Sequence, residues 1–176
     1  MGLVHIYCGD GKGKTSAAVG LAVRAAGCGK RVVIARFLKT DNSGEVEILK
    51  KIPEVTLIPC RKTFGFVRSM DEETKRECAA YHRELFGEAV KLAEHADLVV
   101  FDEIMAAVNY GMVPECDVLE FLENRPGRDQ TDGLEIVLTG RDPSEKLIAA
   151  ADYVSEICKR KHPFDRGIMA RRGVEY

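Results

Sequence analysis

A glycine-rich segment near the start of the chain constrains the fold more than any other feature. The residues from Cys8 to Thr15 read C-G-D-G-K-G-K-T, between an apolar run at Leu3–Cys8 and an alanine-rich run at Lys14–Ala26. A strand, a glycine-rich turn and a helix in this order are typical of a phosphate-binding loop (P-loop), in which backbone N–H groups and the helix N-terminus surround phosphate oxygens. The segment therefore predicts an α/β fold that binds a nucleoside phosphate.

The residues of this loop have distinct expected roles. We predict that Lys14 neutralises phosphate charge as a catalytic residue and that the Thr15 hydroxyl binds Mg²⁺ or Mn²⁺. The formal pattern G-x-x-x-x-G-K-[ST] begins with glycine, whereas this chain has Cys8 there, and a glycine-rich turn without a ligand remains the alternative. The predicted nucleotide-binding residues are consecutive: Gly9, Asp10, Gly11, Lys12, Gly13, Lys14, Thr15 and Ser16.

Two acidic residues follow a second apolar run. The run Leu98–Phe101 ends directly before Asp102 and Glu103. In proteins with a phosphate-binding loop, a buried strand brings a carboxylate beside that loop, where it holds Mg²⁺ directly or through water. We therefore predict a metal site formed by Thr15, Asp102 and Glu103. Without the loop, the same residues would more commonly be a solvated strand end.

Short β-rich runs alternate with helical stretches along the chain. Their apolar residues are nearly continuous, as in parallel strands that are covered on both faces, and helices between them imply right-handed crossovers. We predict an α/β fold like that of the P-loop NTPases, with a mainly parallel sheet and helices on both faces, in one domain over residues 1–176 with an irregular basic tail at 159–176. Strands are expected at Leu3–Cys8, Arg31–Phe37, Val55–Pro59, Leu98–Phe101, Leu134–Thr139 and Tyr153–Ile157.

Four helices are expected between these strands, at Lys14–Ala26, Glu45–Lys51, Met70–Ala96 and Pro114–Glu123. The longest should begin at a capping box formed by Ser69 and Glu72. Residues at helical spacing should form its buried face, namely Tyr81, Leu85, Ala89, Leu92 and Ala96.

The overall composition disfavours several classes of protein. The formal net charge is −2, which gives no electrostatic reason to expect nucleic acid or an anionic membrane as partner. No apolar run approaches the roughly 18 residues of a membrane span. The six cysteines include no C-x-x-C pair, which argues against a zinc ribbon or a redox dithiol. Reduced thiols and a cytoplasmic location are expected.

Short motifs along the rest of the chain resemble one family. In order they are Arg36-Phe37-Leu38-Lys39, Phe101-Asp102-Glu103-Ile104, Arg125-Pro126, Leu138-Thr139-Gly140-Arg141, Ala151-Asp152, Lys161-His162-Pro163-Phe164 and Gly173-Val174-Glu175-Tyr176. With the phosphate-binding loop, they resemble the P-loop type of ATP:corrinoid (cob(I)alamin) adenosyltransferase over nearly the whole chain. The resemblance implies transfer of the 5′-deoxyadenosyl group of ATP to the Co(I) of a reduced corrinoid, with release of inorganic triphosphate, in cobalamin synthesis or salvage.

The resemblance also implies roles for two further catalytic residues. Arg141 is expected to clamp phosphate, because a guanidinium is always charged and can bind in a bidentate manner; a surface arginine is the alternative. Phe66, helped by Phe64, is expected to displace the axial base of a Co(II) corrinoid, although relatives often have Trp where this chain has Arg68. Ordinary loop packing is the alternative for Phe66. An electron-donating reductase or flavodoxin is an expected partner, with a homodimer as a possible assembly.

Two other functions are compatible with the same motifs. An ATPase would use Glu103 to activate water, and it would release phosphate without a corrinoid. A nucleotide-sensing subunit would bind nucleotide without turnover, even with reduced corrinoid present.

Overall fold

Parallel strands form one sheet at the centre of the structure. The structure is a computed structural model that describes residues 2–128, 130 and 132–176; Met1, Asp129 and Thr131 lie outside the described residues. Within them the strands are β1 (Val4–Cys8), β2 (Val32–Arg36), β3 (Val55–Leu57), β4 (Leu98–Asp102), β5 (Glu135–Thr139) and β6 (Tyr153–Glu156). Their order across the sheet is β3-β2-β4-β5-β1-β6, and every neighbouring pair is parallel.

Helices cover both faces of this sheet. They are α1 (Lys14–Gly27), α2 (Gly44–Leu49), α3 (Glu72–Ala93), α4 (Ile104–Asn109), α5 (Glu115–Glu123) and α6 (Glu145–Ala150), with 3₁₀ turns at Val67–Ser69 and Pro163–Arg166. Helix α1 contacts β1, β2, β4 and β5, whereas α3 contacts β2 and β4. The predicted α/β fold with a parallel sheet and helices on both faces is confirmed. No helix of the described part of the chain is long and apolar enough to cross a membrane.

Alternate side chains of the strands enter two separate apolar cores. On β2, Val33 and Ala35 belong to the core that contains α3, and Val32 and Ile34 belong to the core that contains α1. Successive side chains of a strand point to opposite faces, so a strand covered on both faces is apolar at every position. The side of α1 that enters its core consists of small residues, which are Ala18, Ala22, Ala25 and Ala26.

The start of helix α3 differs from the prediction. The helix begins at Glu72, and its N-cap is Asp71, whose carboxylate accepts a hydrogen bond from the backbone N–H of Thr74 at 2.8 Å. Ser69 instead belongs to the preceding 3₁₀ turn, and Met70 separates that turn from the cap. The prediction of a capping box at Ser69 is therefore wrong, because the chain turns once before the helix starts.

The predicted buried face of α3 is correct only in part. Leu85 and Ala89 are buried, but Leu92 is 36% exposed and Ala96 lies beyond the end of the helix. At about 100° per residue, the true buried stripe is rotated by about 60° from the predicted one. It consists of Cys78, Ala79, His82, Leu85, Phe86, Ala89 and Ala93.

Candidate active site

The carboxyl ends of β1, β4 and β5 lie side by side, because β5 stands between the other two in the sheet. A cavity of 310 Å³ opens at this edge. Ligands of parallel α/β sheets bind at such strand ends. The cavity is lined by Asp10, Gly11, Lys12, Gly13, Lys14, Thr15, Ser16, Glu103, Arg141, His162, Val174 and Glu175. The structure thus brings together most of the residues that the sequence singled out.

The backbone of the loop after β1 requires glycine at two positions. Gly9 has φ 102° and Gly13 has φ 124°, values that L residues with a side chain rarely adopt. A Cβ on Gly9 would lie 2.5 Å from the carbonyl oxygen of Ile157. Gly11 donates its N–H to the same oxygen at 2.7 Å. The loop is therefore seated directly against the chain that follows β6.

Lys14 curls over this loop. Its Nζ donates hydrogen bonds to the carbonyl oxygens of Gly9, at 2.8 Å, and Gly11, at 2.9 Å. Partial burial lowers the pKa of Lys14, and the positive charge of Arg141 lowers this pKa further. Both effects disfavour the charged form of Lys14, whereas an anion bound in the cavity would favour it.

Asp102 forms the buried centre of a second polar cluster. It is 2% exposed, and its Oδ1 accepts hydrogen bonds from the hydroxyls of Thr15 at 3.0 Å and Thr139 at 2.7 Å. Its Oδ2 accepts a hydrogen bond from Nζ of Lys39, which also donates to Thr15 Oγ1 at 2.7 Å. The structure thus joins Thr15 to Asp102 and adds Lys39 and Thr139, which the sequence analysis did not place in the site.

Glu103 occupies a different position from Asp102. Its side chain lines the cavity, and its backbone has φ 63°, a left-handed conformation. The backbone N–H donates to Thr139 Oγ1 at 2.8 Å, which holds this turn against β5. Among the described residues, no group of three or more His, Cys, Asp or Glu side chains is arranged to hold a metal ion.

The basic tail reaches back to the loop. The carboxylate of Glu175 accepts hydrogen bonds from Nζ of Lys12 at 3.2 Å and from Nη2 of Arg171 at 3.0 Å. Hydrogen bonds from Arg171 are the main cause that lowers the pKa of Glu175 to about 2. The backbone N–H of Lys159 donates to Asp10 Oδ1 at 2.8 Å. A carboxylate of the tail therefore joins the lining of the smaller cavity, whose other charged residues are the cations Lys12, Lys14 and Arg141 and the acids Asp10 and Glu103.

A wider cavity of 1010 Å³ adjoins the first. The two share Thr15, Ser16, Val174 and Glu175 in their walls. Apolar side chains contribute much of the rest of the wider lining, which includes Val19, Leu38, Ile48 and Tyr176. A polar cavity and a partly apolar one thus meet across Thr15 and the end of the tail.

The whole chain, residues 1–176, matches the family described as ATP:corrinoid adenosyltransferase BtuR/CobO/CobP. The chain belongs to this family. It is 34% identical to the corrinoid adenosyltransferase of Escherichia coli K12 and to CobA of Salmonella typhimurium, over 99% of this chain and 86% of each relative. It is 31% identical to the corrinoid adenosyltransferase of Pseudomonas aeruginosa, over 99% of this chain and 84% of the relative. The predicted family is confirmed, and its reaction is adenosyl transfer from ATP to a corrinoid.

Two residues to which the family resemblance gave roles lie in different surroundings. Arg141 lines the smaller cavity, where its Nη2 donates to the carbonyl oxygen of Asp10 at 3.4 Å. Phe66 is 87% exposed and lines neither cavity. Phe64, by contrast, packs beside Tyr81, with 5.6 Å between ring centroids. The structure therefore brings Arg141, but not Phe66, to the phosphate-binding loop.

His162 also lines the smaller cavity. Its Nδ1 accepts a hydrogen bond at 3.2 Å from the backbone N–H of Phe164, so this ring caps the 3₁₀ turn of the tail.

Proposed function

We propose that this chain transfers the 5′-deoxyadenosyl group of ATP to the Co(I) of a reduced corrinoid and releases inorganic triphosphate. The observation that carries the proposal is the shared wall of the two cavities. The smaller one, around Lys14 and Arg141, offers the cationic groups that a triphosphate needs. The wider one adjoins it and has the partly apolar lining that suits a large, flat ligand.

The proposed step is a nucleophilic displacement at carbon. The electron pair of Co(I) forms a bond to C5′ of the ribose, and the C5′–O5′ bond breaks, so that its electron pair leaves with the triphosphate. The protein supplies neither a nucleophile nor a base for this step. Its contribution is to align the two substrates and to stabilise the charge of the leaving group, which we assign to the loop N–H groups, Lys14 and Arg141.

We further propose that Mg²⁺ or Mn²⁺ accompanies the triphosphate. Thr15 Oγ1 and the Asp102 carboxylate lie 3.0 Å apart and are hard oxygen donors of the kind that Mg²⁺ prefers. Glu103, on the wall of the same cavity, would act through water. A third carboxylate is not required, because nucleotide-bound Mg²⁺ usually keeps phosphate oxygens and waters as its other ligands. When bound, the ion would neutralise charge on the leaving group.

Phe66 is proposed to act on the Co(II) corrinoid before its reduction. The Phe66 side chain is largely exposed, which supports a role in contacting a ligand. Burial of a phenylalanine side chain against a ligand would contribute about 1.5 kcal/mol or more to the free energy of binding. Phe66→Ala should therefore lower the rate from Co(II) with a reductase by about tenfold, yet leave the rate from pre-formed Co(I) nearly unchanged. Phe164→Ala, at another exposed phenylalanine, should leave the ratio of the two rates as in the wild type. Equal losses from Co(II) and Co(I) would contradict the role of Phe66.

The proposal includes an electron donor for the reaction and the compartment in which the protein works. Co(I) arises by reduction of Co(II), so an electron-donating reductase or flavodoxin is the proposed partner. All six cysteines are free, which supports a reducing compartment and a cytoplasmic location.

One sheet contains strands from both ends of the chain, which supports a single domain. Strand β6 is exposed along its length at the edge of that sheet, and such an edge could pair with a second copy in a homodimer.

The products of the reaction test the proposal. Protein, Mg-ATP and chemically reduced corrinoid should give equal amounts of inorganic triphosphate and of a cobalt–carbon product, which the absorbance spectrum reports. Kinases and ATPases cleave ATP next to the γ-phosphate and leave ADP. ADP formed at a comparable rate without corrinoid would contradict the proposal and favour an ATPase that uses Glu103.

A further inference from the structure

An ammonium group lies between the two proposed metal ligands. Lys39 follows strand β2, and its Nζ donates to Thr15 Oγ1 at 2.7 Å and to Asp102 Oδ2. Thr15 in turn donates to Asp102 Oδ1 at 3.0 Å. The three side chains therefore form a closed triangle of hydrogen bonds, with the lysine charge at one corner.

The positive charge of Lys39 compensates the negative charge of the buried Asp102 carboxylate. Asp102 is 2% exposed, and the other described groups that bond to its carboxylate are the neutral hydroxyls of Thr15 and Thr139. A buried carboxylate without a cation is strongly destabilising, and removal of one partner from such a pair leaves the other uncompensated. Lys39 forms the ion pair with Asp102 and keeps 26% of its own side chain exposed.

A metal ion and this ammonium compete for the same oxygens. Mg²⁺ binds its ligands at about 2.0–2.1 Å, and the lysine nitrogen already stands within hydrogen-bond distance of both Thr15 Oγ1 and Asp102. Two cations cannot share this place. We propose that Lys39 is a placeholder cation: it holds Thr15 and Asp102 together in the nucleotide-free protein, excludes the free metal ion, and moves onto the triphosphate when the metal–nucleotide complex enters.

The position of Lys39 allows this movement. Lys39 lines the wider cavity, whose wall shares Thr15 with the smaller one, so a displaced ammonium remains beside the phosphate site. Leu38, the residue before it, has φ 53° and packs against the apolar core. A non-glycine residue keeps this backbone conformation only where its surroundings enforce it. The backbone is thus fixed, whereas the four-carbon side chain of Lys39 can swing.

A positioning role of this kind predicts tighter binding of the bare metal ion once the lysine is removed. The inference rests on the proposed metal role of Thr15 and Asp102. Mn²⁺ should be titrated into nucleotide-free, corrinoid-free protein, with the electron paramagnetic resonance signal of unbound Mn²⁺ as the readout. Lys39→Met should bind Mn²⁺ about tenfold more tightly than the wild type, within the range typical of coupled sites.

Three variants control this experiment. Lys75→Met removes an exposed lysine that pairs with Glu72 on α3, and it should bind Mn²⁺ as weakly as the wild type. Lys39→Arg keeps the charge and should also bind weakly. Lys39→Gln removes the charge but keeps hydrogen-bond donors on a shorter side chain, so it should bind as tightly as Lys39→Met even where the methionine variant is too unstable to study.

The outcomes of this experiment distinguish the placeholder role of Lys39 from the metal site formed by Thr15 and Asp102. If equilibrium dialysis shows that the wild type retains Mn²⁺ together with ATP, but neither Lys39→Met nor Lys39→Gln gains affinity for Mn²⁺ without ATP, the placeholder role is wrong and the metal site stands. If no variant binds Mn²⁺ with or without ATP, the proposed metal site is wrong as well. Variants that fold only with Mn²⁺ would support the inference, and variants that remain unfolded at saturating Mn²⁺ would overturn it, because the metal ion would then be unable to replace the ammonium.

Discussion

Replacement of Lys14 by alanine is expected to lower kcat/KM for adenosyl transfer by about 100- to 1,000-fold, the usual effect of removing one group that stabilises developing charge. Among the described residues, this ammonium bonds only to the carbonyl oxygens of Gly9 and Gly11. The free energy of unfolding should therefore fall by no more than about 1 kcal/mol. Steady-state kinetics with pre-formed Co(I), together with urea unfolding of the same samples, measure the two effects.

Lys12→Ala is the matched control for this variant. Lys12 lies in the same loop and carries the same charge, but its Nζ points to Glu175 and its side chain is 44% exposed. Exposed charges are well screened by solvent, so its loss of kcat/KM should be much smaller. Similar losses in the two variants would show that the net charge of the loop, rather than the position of Lys14, governs the reaction.

Gly9→Ala is expected to abolish nucleotide binding and to lower the free energy of unfolding by about 3 kcal/mol, the upper end for inserting an atom into a close-packed site. The new Cβ would lie 2.5 Å from the carbonyl oxygen of Ile157, on a backbone with φ 102°. The loop and the chain after β6 would have to separate. Since Gly11 donates to that same oxygen, the shape of the phosphate site would be lost with the contact.

Gly13→Ala separates the two causes of this effect. Gly13 also has a positive φ, 124°, but a Cβ there would meet no atom of the described residues within 4 Å. Backbone strain alone should cost about 1 kcal/mol. Urea unfolding compares the two variants directly, and equal destabilisation would mean that the contact with Ile157 contributes nothing.

The loop that lines the smaller cavity was predictable because its signals are local in sequence. Three glycines, Lys14 and Thr15 lie within seven residues, between a strand and a helix. Asp102 could be placed because the apolar run before it marks a buried strand. Lys39 and Thr139 follow or end strands in the same way, but a lysine after a strand is ordinarily a solvated residue, and only the order of the strands in the sheet shows that they meet at Asp102.

The errors in the helix predictions also have physical causes. Helices α4 and α6 were not predicted, and each has only six residues, too few for a periodic pattern. Helix α2 is equally short, but Pro53 soon after it marks its end in the sequence. Ser144 does cap α6, by accepting a hydrogen bond from Leu147, a signal that sequence reasoning could have used. For α3, a stripe chosen by spacing alone included Leu92, because spacing does not tell which side of a long helix meets the sheet.

The place of β1 in the sheet has a consequence for synthesis on the ribosome. Strand β2 pairs with β3 and β4, whereas β1 pairs with β5 and β6, which come much later in the chain. His5 is in register with Val137 and Tyr153. Closing so long a loop lowers the entropy of the chain, and the contacts that compensate this cost form only after β5 and β6 have been synthesised. We expect the nascent chain to order the half around β2 and β4 first and to carry the P-loop unpaired until β5 emerges. Nucleotide can therefore stabilise only a nearly complete chain, and chaperones would meet β1 as an exposed apolar strand.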